Sequence, residues 1–495
     1  MVAEIIESIF GDLTPLATMI IIGIAALALP GIQMFGKRHT ATWAFTLIMV
    51  LVAMIIDMCL LVDGYAGEYM GVRFTGYSSL LGLLFLIVLF MTILVSNSSV
   101  ETTRNHAGAY YSLLCGASLG MLFVASSTNL LTIFVGVELT SISSYALVAL
   151  KRKDGRASEA AVKYAIIGGM STALTLYGIS MLYGITGSVD IAEIAAFLAG
   201  YDVTWMVGIA FICMIAGYGF KIAAVPFHMW APDVYEGAAT PVSMFLATGS
   251  KKMGLSVFIQ VFMVMLIALT VSENVLAEAT QYLFAIIAAF TMTVGNVVAI
   301  AQTNIKRMLA YSSIAQAGYI MIILAVMTPQ AEAAGVFHMF THVFMKGGAF
   351  LIVGALICAG LGEKISDYKG LAKRAPFLAA AMMLFLFSLA GIPPLAGFTS
   401  KFFLFASAIG EPGAANGTWV WLAFVAILNS AISLYYYARV VKAMYIEKGA
   451  TTEKIKIPKP FLAAILICLV FVIVLGVYPD LIFGYCEASF AGLFI

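Results

Sequence analysis

Apolar stretches long enough to cross a lipid bilayer follow one another along almost the whole chain. An α-helix needs roughly 20 predominantly apolar residues to span the hydrocarbon core. Of the 495 residues, 62% are hydrophobic and only 10% are charged, whereas soluble domains contain about 25% charged residues. We therefore expect an all-α polytopic membrane protein with about fourteen transmembrane helices. The predicted spans lie near residues 15–36, 41–63, 78–95, 109–125, 129–150, 158–186, 203–224, 241–270, 277–300, 309–327, 333–361, 376–410, 418–441 and 458–484.

Lysine and arginine residues are concentrated in alternate loops of this arrangement. The loops after odd-numbered spans contain eighteen of the 26: Lys37, Arg38, Arg104, Lys151, Arg152, Lys153, Arg156, Lys306, Arg307, Lys364, Lys369, Lys373, Arg374, Lys442, Lys448, Lys454, Lys456 and Lys459. The loops after even-numbered spans contain only Arg73. Because short loops rich in Lys and Arg stay on the cytoplasmic side, we expect both termini to lie on the outer face.

The end of the seventh span combines a membrane lysine with a broken helix. Residues 217–242 read GYGFKIAAVPFHMWAPDVYEGAATPV, with Lys221 followed by Pro226, Pro232 and Pro241. A lysine in hydrocarbon costs about 2.5–3.5 kcal/mol on insertion scales, so its presence suggests a functional site. A broken helix at membrane depth is tolerated only where its backbone is buried in protein or lines a wet cavity. Together these features predict an internal, hydrated ion path.

Several more ionisable residues fall within the predicted spans. The seven basic ones are Lys163, Lys221, Lys251, Lys252, Lys346, Lys401 and Arg439. Glu138 is the one clearly central carboxylate. Burial favours the neutral form of a lysine, whereas a neighbouring carboxylate favours the charged form. A Glu138–Lys221 pair could therefore act as a proton switch. The alternative is a static buried ion pair that only fixes helix packing.

Two lysine pairs have nearly the same separation, which suggests an internal duplication. Lys163 and Lys346 are 183 residues apart, and Lys221 and Lys401 are 180 apart. The twelfth span is also broken, at Pro393-Pro394. A repeat of five spans must be inverted relative to its partner, as in many transporters. We predict a three-helix segment (1–108), two inverted five-helix units (109–270 and 271–446) and a C-terminal helix (447–495).

Histidines add protonatable groups to this set. His338, His342 and Lys346 are spaced i, i+4 and i+8, which places them on one helix stripe. They could relay protons through water, and His228 could exchange protons with Lys221 or serve in helix packing. Metal ligation needs a further ligand, and no CxxC motif or Cys/His cluster occurs in the sequence. We therefore expect no metal or other cofactor on this chain.

Several motifs together resemble one known family. Lys221 with PFHMWAPDVYEGAATPV, VGVELTSISSYAL around Glu138, EAAVKYAIIGG around Lys163 and FLATGSKKMGL around Lys251 are similar to the N-type antiporter-like subunit of respiratory complex I and related dehydrogenases. QTNIKRMLAYSSIAQAGY and PPLAGFTSKFFLF, around Lys401, match as well. The resemblance covers residues from about 100 to 480.

The resemblance implies fourteen spans with two inverted half-channels and broken helices 7 and 12. It implies that Glu138 pairs with Lys221, that Lys251 connects the half-channels and that Lys401 delivers protons outward, with Lys163 as an additional channel residue. In the run SKK, the match favours Lys251 over its neighbour as the residue facing the channel.

The resemblance also implies a function. We expect a proton-translocating membrane-arm subunit of a complex-I-like oxidoreductase in a prokaryotic plasma membrane. Its partners would be other membrane and peripheral subunits of the complex, flavin and iron–sulfur clusters would lie on partner subunits, and no nucleic acid would be bound. The donor (NADH, ferredoxin or reduced deazaflavin) and the acceptor (quinone or methanophenazine) stay open. The alternatives are a cation/proton antiporter subunit without redox coupling and a structural spacer.

Overall fold

The computed structural model describes residues 2–36, 39–102, 106–151, 154–200, 205–410, 417–449, 451 and 453–493. Five basic residues of the loop comparison lie outside this part: Lys37, Arg38, Arg104, Arg152 and Lys153. The α-helices are α1 (Val2–Phe10), α2 (Ala17–Gly36), α3 (His39–Val62), α4 (Gly76–Ser96), α5 (Ala107–Ser126), α6 (Leu130–Ala149), α7 (Gly155–Thr186), α8 (Ile191–Ala199), α9 (Trp205–Ile222), α10 (Trp230–Gly237), α11 (Thr240–Phe245), α12 (Lys251–Val257), α13 (Val264–Val271), α14 (Val275–Ala301), α15 (Ile305–Ile320), α16 (Ile322–Val326), α17 (Pro329–Cys358), α18 (Leu371–Arg374), α19 (Pro376–Ala390), α20 (Ala396–Ile409), α21 (Val420–Tyr445), α22 (Lys459–Val477) and α23 (Asp480–Ser489).

The predicted all-α membrane fold is confirmed. Within the described residues, thirteen helical stretches are long and apolar enough to cross a membrane. The shorter apolar helices α19 and α20 together cover the remaining, twelfth predicted span. The eighth span is the composite Thr240–Val271, and the tenth is Ile305–Val326.

Asparagine and aspartate side chains fix where many of these helices begin. Asn129, Asp154, Asp190, Asn274 and Asn304 each precede a helix and accept hydrogen bonds from its first backbone N–H groups. Such caps satisfy donors that have no partner within the helix. Because these residues interrupt the apolar runs, they also make the span boundaries readable from the sequence.

Helix α17 lies at the centre of the bundle. In its most apolar stretch 94% of the residues are buried inside the protein, against 28% for α7. It packs against α11, α15, α19, α20 and α22. A helix enclosed in this way can carry ionisable groups away from lipid.

Two interruptions between helices lie next to Pro226 and next to Pro393-Pro394. In the first, α9 ends at Ile222 and α10 begins only at Trp230. The backbone N–H of Val225 donates to Thr291 Oγ1 on α14 at 3.0 Å, so the interrupted backbone finds a partner inside the protein. In the second, α19 ends at Ala390 and is followed by Gly391, whose φ of +89° favours glycine.

Two features go beyond the predicted fold. The eighth span contains two π-helical segments, Leu246–Ser250 and Phe258–Met263, on either side of α12. Outside the spans, strands β1 (Gly67–Tyr69) and β2 (Val72–Phe74) form a small antiparallel hairpin, with Glu68 opposite Arg73. A positive φ at both Met70 and Gly71 is typical of a two-residue hairpin turn.

Candidate functional site

Lys221 lies buried in the last turn of α9, directly before the first break. Its ammonium donates hydrogen bonds to Ser141 Oγ on α6 at 2.9 Å and to Tyr164 Oη on α7 at 3.5 Å. The Tyr164 ring stacks on Trp230 of α10, with ring centroids 4.4 Å apart. Side chains of α6 and α7 thus hold Lys221, and Trp230 of α10 supports the Tyr164 ring.

Glu138 lies near Lys221 but bonds to a different partner. The carboxylate accepts a hydrogen bond from Thr172 Oγ1 at 2.8 Å. Both Glu138 and Lys221 line a cavity of about 10 Å³, roughly the space that one water molecule needs. The direct ion pair expected from the sequence does not form among the described residues, because the Ser141 and Thr172 hydroxyls bind the two charged groups instead.

Lys251 and Lys252 open α12 and are both buried. Within the described part of the chain, neither ammonium group has a hydrogen-bond partner. The Lys251 ammonium lies 5.8 Å from the centroid of the Tyr235 ring. Lys252 lies close enough to His338 and His342 of α17 to interact with them electrostatically. The sequence favoured Lys251 alone, but the structure buries both lysines.

His338, His342 and Lys346 lie buried on α17, as their spacing predicts. Lys346 donates to Ser312 Oγ at 2.5 Å and to the backbone carbonyl of Leu309 at 3.2 Å. The rings of the two histidines are 6.3 Å apart. Neither ring nitrogen of His342 has a hydrogen-bond partner among the described residues. A proton transfer at His342 would therefore break no hydrogen bond seen among the described residues.

A hydrogen-bonded path connects His338 to Lys401. Gln316 Oε1 bonds to His338 Nε2 at 2.9 Å, and Gln316 Nε2 donates to the Leu389 carbonyl at 3.1 Å. The same carbonyl accepts a hydrogen bond from the Lys401 ammonium at 2.8 Å, and Ser430 Oγ accepts another at 3.0 Å. Lys401 thereby also satisfies a carbonyl at the end of the broken helix α19.

Lys163 lies apart from the buried lysines. Its ammonium forms salt bridges with Glu159 at 2.7 Å and with Asp233 at 2.9 Å, and its side chain is 44% exposed. Arg307 joins the same network through Asp233 at 2.7 Å and Glu236 at 2.9 Å. The structure thus places Lys163 in a partly exposed ion network that ties α7, α10 and α15 together.

His228 lies half-buried within the first break. Burial lowers the pKa of its imidazole, and the charge of Lys251 lowers this pKa further. Its Nδ1 has no hydrogen-bond partner among the described residues. Lys221 bonds to Ser141 and Tyr164, so the predicted exchange with His228 would need an intervening water.

Sequence reasoning underrated two residues of this site. Gln316 was not among the candidate site residues, and the family resemblance favoured Lys251 over Lys252. Gln316 and Lys252 are both fully buried. The sequence signal that could have identified them is a polar side chain within a membrane helix. In the described part of the chain, no group of three or more His, Cys, Asp or Glu side chains could hold a metal ion.

A membrane bundle with two broken helices and a row of buried lysines defines a class of ion-translocating subunit. The family model described as "NADH:quinone oxidoreductase/Mrp antiporter, TM" matches residues 127–433. The chain belongs to this family.

Two similar relatives are both N subunits of dehydrogenase complexes. The chain is 44% identical over 410 residues to F420H2 dehydrogenase subunit N of Methanosarcina mazei, covering 80% of each chain. It is 36% identical over 491 residues to NADH-quinone oxidoreductase subunit N of Desulfitobacterium hafniense, covering 94% of this chain and 96% of the relative.

Solved structures share the fold over nearly the full length. A chain of respiratory complex I from Thermus thermophilus with bound aureothin superposes with a TM-score of 0.78 at 29% identity, covering 94% of this chain and 98% of that one. A chain of the archaeal membrane-bound sulfane sulfur reductase superposes with a TM-score of 0.88 at 25% identity, covering 98% of each chain.

Proposed function

We propose that this integral membrane protein is the N-type, proton-translocating membrane-arm subunit of a complex-I-like oxidoreductase. The family match and the N-subunit relatives support its place in such a complex. The single observation that carries the pumping role is the row of buried ionisable groups from Lys221 to Lys401. Flavin and iron–sulfur clusters would belong to partner subunits, electrons would pass to a quinone or quinone-like carrier, and both termini would lie on the outer face of a prokaryotic plasma membrane.

Proton uptake begins at Glu138 and Lys221. A charge that approaches Glu138 changes the field at Lys221 across the small cavity that both line. Drawing the carboxylate away favours the neutral lysine and releases its proton, whereas bringing it closer favours reloading. Because hydroxyl groups hold both side chains, a small rearrangement is enough to alter their separation.

Transfer then proceeds through the centre of the bundle. Lys251 and Lys252 carry unpartnered ammonium groups next to α17, where His342 and His338 can accept protons through water. Gln316 and the Leu389 carbonyl hold His338 and Lys401 in place at the two ends of a hydrogen-bonded chain, and water would carry the proton between these two groups. Moving one charge against 100 mV costs about 2.3 kcal/mol, and a change of two units in a lysine pKa supplies about 2.7 kcal/mol.

The packing of the helices supports two related units. Helix α5 packs on α6 and α7 on α9 in the first unit, and α14 packs on α15 and α17 on α20 in the second. The proposed boundaries are 109–270 and 271–446, preceded by the segment 1–108 and followed by 447–495. Each unit contains one broken helix with a buried lysine, Lys221 or Lys401.

Replacement of Lys221 and Lys401 by methionine tests this function. The assembled complex, reconstituted in vesicles, would be assayed for electron transfer and proton uptake in parallel. We expect each variant to assemble but to move fewer protons per electron. Exposed Lys448→Met is the matched control. Unchanged proton uptake in both variants would leave only the structural-spacer interpretation.

The antiporter alternative makes a different prediction about composition. The matched family model also covers Mrp antiporter subunits. Such a subunit would purify without flavin or iron–sulfur proteins and would exchange protons for cations without electron transfer. Co-purification with redox-active subunits would support the oxidoreductase.

A further inference from the structure

A polar cavity lies at one end of the bundle, away from the Lys221 site. It has a volume of about 60 Å³ and is lined by Arg73, Thr75, Tyr77, Asp190 and Gln260 among others. That is room for about four water molecules. The loops that form it follow even-numbered spans, which the charge distribution places on the outer face. The cavity therefore lies on the side where pumped protons must emerge.

Two nearly buried side chains of this cavity have polar atoms without a partner. The Tyr77 hydroxyl and the Gln260 side chain lie close enough to interact with each other, but neither the hydroxyl nor Gln260 Oε1 has a partner at full hydrogen-bond geometry among the described residues. Tyr77 is 2% exposed and Gln260 is 5% exposed, and Gln260 Nε2 donates to the Ala125 carbonyl at 3.0 Å. A buried polar atom without a well-formed hydrogen bond is destabilising, so both atoms favour water in the cavity.

A buried carboxylate lies behind these two side chains. Glu332, in the first turn of α17, is fully buried, and its Oε2 has no partner in the described structure. Its Oε1 accepts a long hydrogen bond from Ser489 Oγ of α23 at 3.4 Å. The titratable groups that interact with it are Tyr77 of α4 and Cys486 of α23. No cation pairs with Glu332 among the described residues, so salt-bridge formation does not explain its burial.

Glu332 lies on the same helix as the central histidines. His338 follows it by six residues, a distance of about 9 Å along α17. Gln260 follows Lys252 by eight residues within the eighth span. Glu332 on α17 and Gln260 in the eighth span therefore extend the central proton path towards the outer cavity.

We infer that Glu332 is a proton-release site to the outer face, with Tyr77 and Gln260 positioning the water molecules that receive its proton. This site is separate from Lys401 and offers the central lysines and histidines a second route outward. The inference rests on the proposed function, since it needs a proton supply from the Lys221 side.

The test compares Glu332→Gln with Lys221→Met in the assembled complex in vesicles. We expect Glu332→Gln to lower protons moved per electron clearly, but less than Lys221→Met does because the Lys401 route stays open, and we expect Glu332→Asp to restore at least half of the lost transport. Glu487→Gln, an exposed carboxylate on the adjacent α23, is the matched control. Normal transport by Glu332→Gln alongside impaired Lys221→Met would overturn the second exit alone, whereas normal transport by both would overturn the proposed function.

A second measurement separates proton release from structural support. Infrared difference spectra of the working complex should contain a carboxylic acid band that disappears in Glu332→Gln. Tyr77→Phe, which keeps the ring and removes only the hydroxyl, should shift this band and slow proton release at least twofold without loss of assembly. An unchanged spectrum in Glu332→Gln would show that this carboxyl does not exchange protons during turnover and would overturn the inference.

Discussion

Gln316 and Lys401 share one acceptor, the backbone carbonyl oxygen of Leu389, at 3.1 and 2.8 Å. The carbonyl belongs to the last turn of α19, where the helix ends and its own acceptors lack intrahelical partners. The end of α19 thus supplies the one atom to which both Lys401 and the Gln316 side chain, itself bonded to His338, donate hydrogen bonds. The break and the lysine form one structural unit.

Gln316→Leu should interrupt this connection. The substitution removes the bonds to His338 and to the Leu389 carbonyl while leaving Lys401 in place. We expect proton transport per electron to fall severalfold, as measured in vesicles. Gln281→Leu, on α14 and outside the path, serves as the control. Full transport by Gln316→Leu would mean that protons bypass this side chain.

Lys252→Met should raise the thermal stability of the protein but lower its proton transport. The buried ammonium has no hydrogen-bond partner among the described residues, and an unsatisfied buried polar group costs about 1–3 kcal/mol. We therefore expect the variant to melt at a higher temperature yet to pump less. Thermal unfolding of the purified complex and proton uptake together provide the readout. A lower melting temperature would show that the ammonium is satisfied in the membrane.

Glu101 should make stability depend on acid pH. Burial raises the pKa of its carboxyl, but nearby Lys306 and Lys151 and a hydrogen bond from the Thr240 N–H outweigh this effect and hold the pKa below its usual range. A depressed folded pKa contributes stability above the unfolded value of about 4.3, and this contribution is lost as pH falls through the folded value.

The corresponding experiment is denaturation of Glu101→Gln at several pH values. Loss of charged hydrogen bonds should cost about 1.5–3 kcal/mol at neutral pH, and the difference from wild type should shrink as pH falls below about 4. Glu453→Gln, at an exposed position, should show no such trend. A constant difference across this range would contradict the role of the Glu101 charge.

Lys163→Gln should affect proton transport less than Lys221→Met. The Lys163 side chain is 44% exposed and pairs with Glu159 and Asp233, and exposed ion pairs are screened by salt. Transport in both variants should be compared at low and high ionic strength, where only the effect of Lys163→Gln should diminish. An equal, salt-independent loss would place Lys163 in the proton path.

The sequence was sufficient for the spans, because their apolar length is a local signal, and it located the buried Lys221, Lys251, Lys346 and Lys401, although it also counted the partly exposed Lys163 among the residues within spans. Apolar length, prolines and charges within hydrocarbon can all be read residue by residue. The hydrogen-bond partners of Glu138 and Lys221 could not be read from the sequence, since hydroxyls from other helices replace the expected ion pair. Gln316 was missed for the same reason: its importance depends on His338 and Leu389, which are distant in the sequence.

The π-helical segment before α12 has a consequence for the lysine pair. A π turn takes in one residue more than an α turn, so converting Leu246–Ser250 to regular α-helix would rotate the following residues by about 100°. That angle equals the angular separation of consecutive residues, and Lys251 and Lys252 are consecutive. One change of helical register would therefore turn one ammonium group into the direction that the other had occupied, and because Gly254 of α12 packs closely against Lys221 and Ile222, the end of α9 would have to adjust with it.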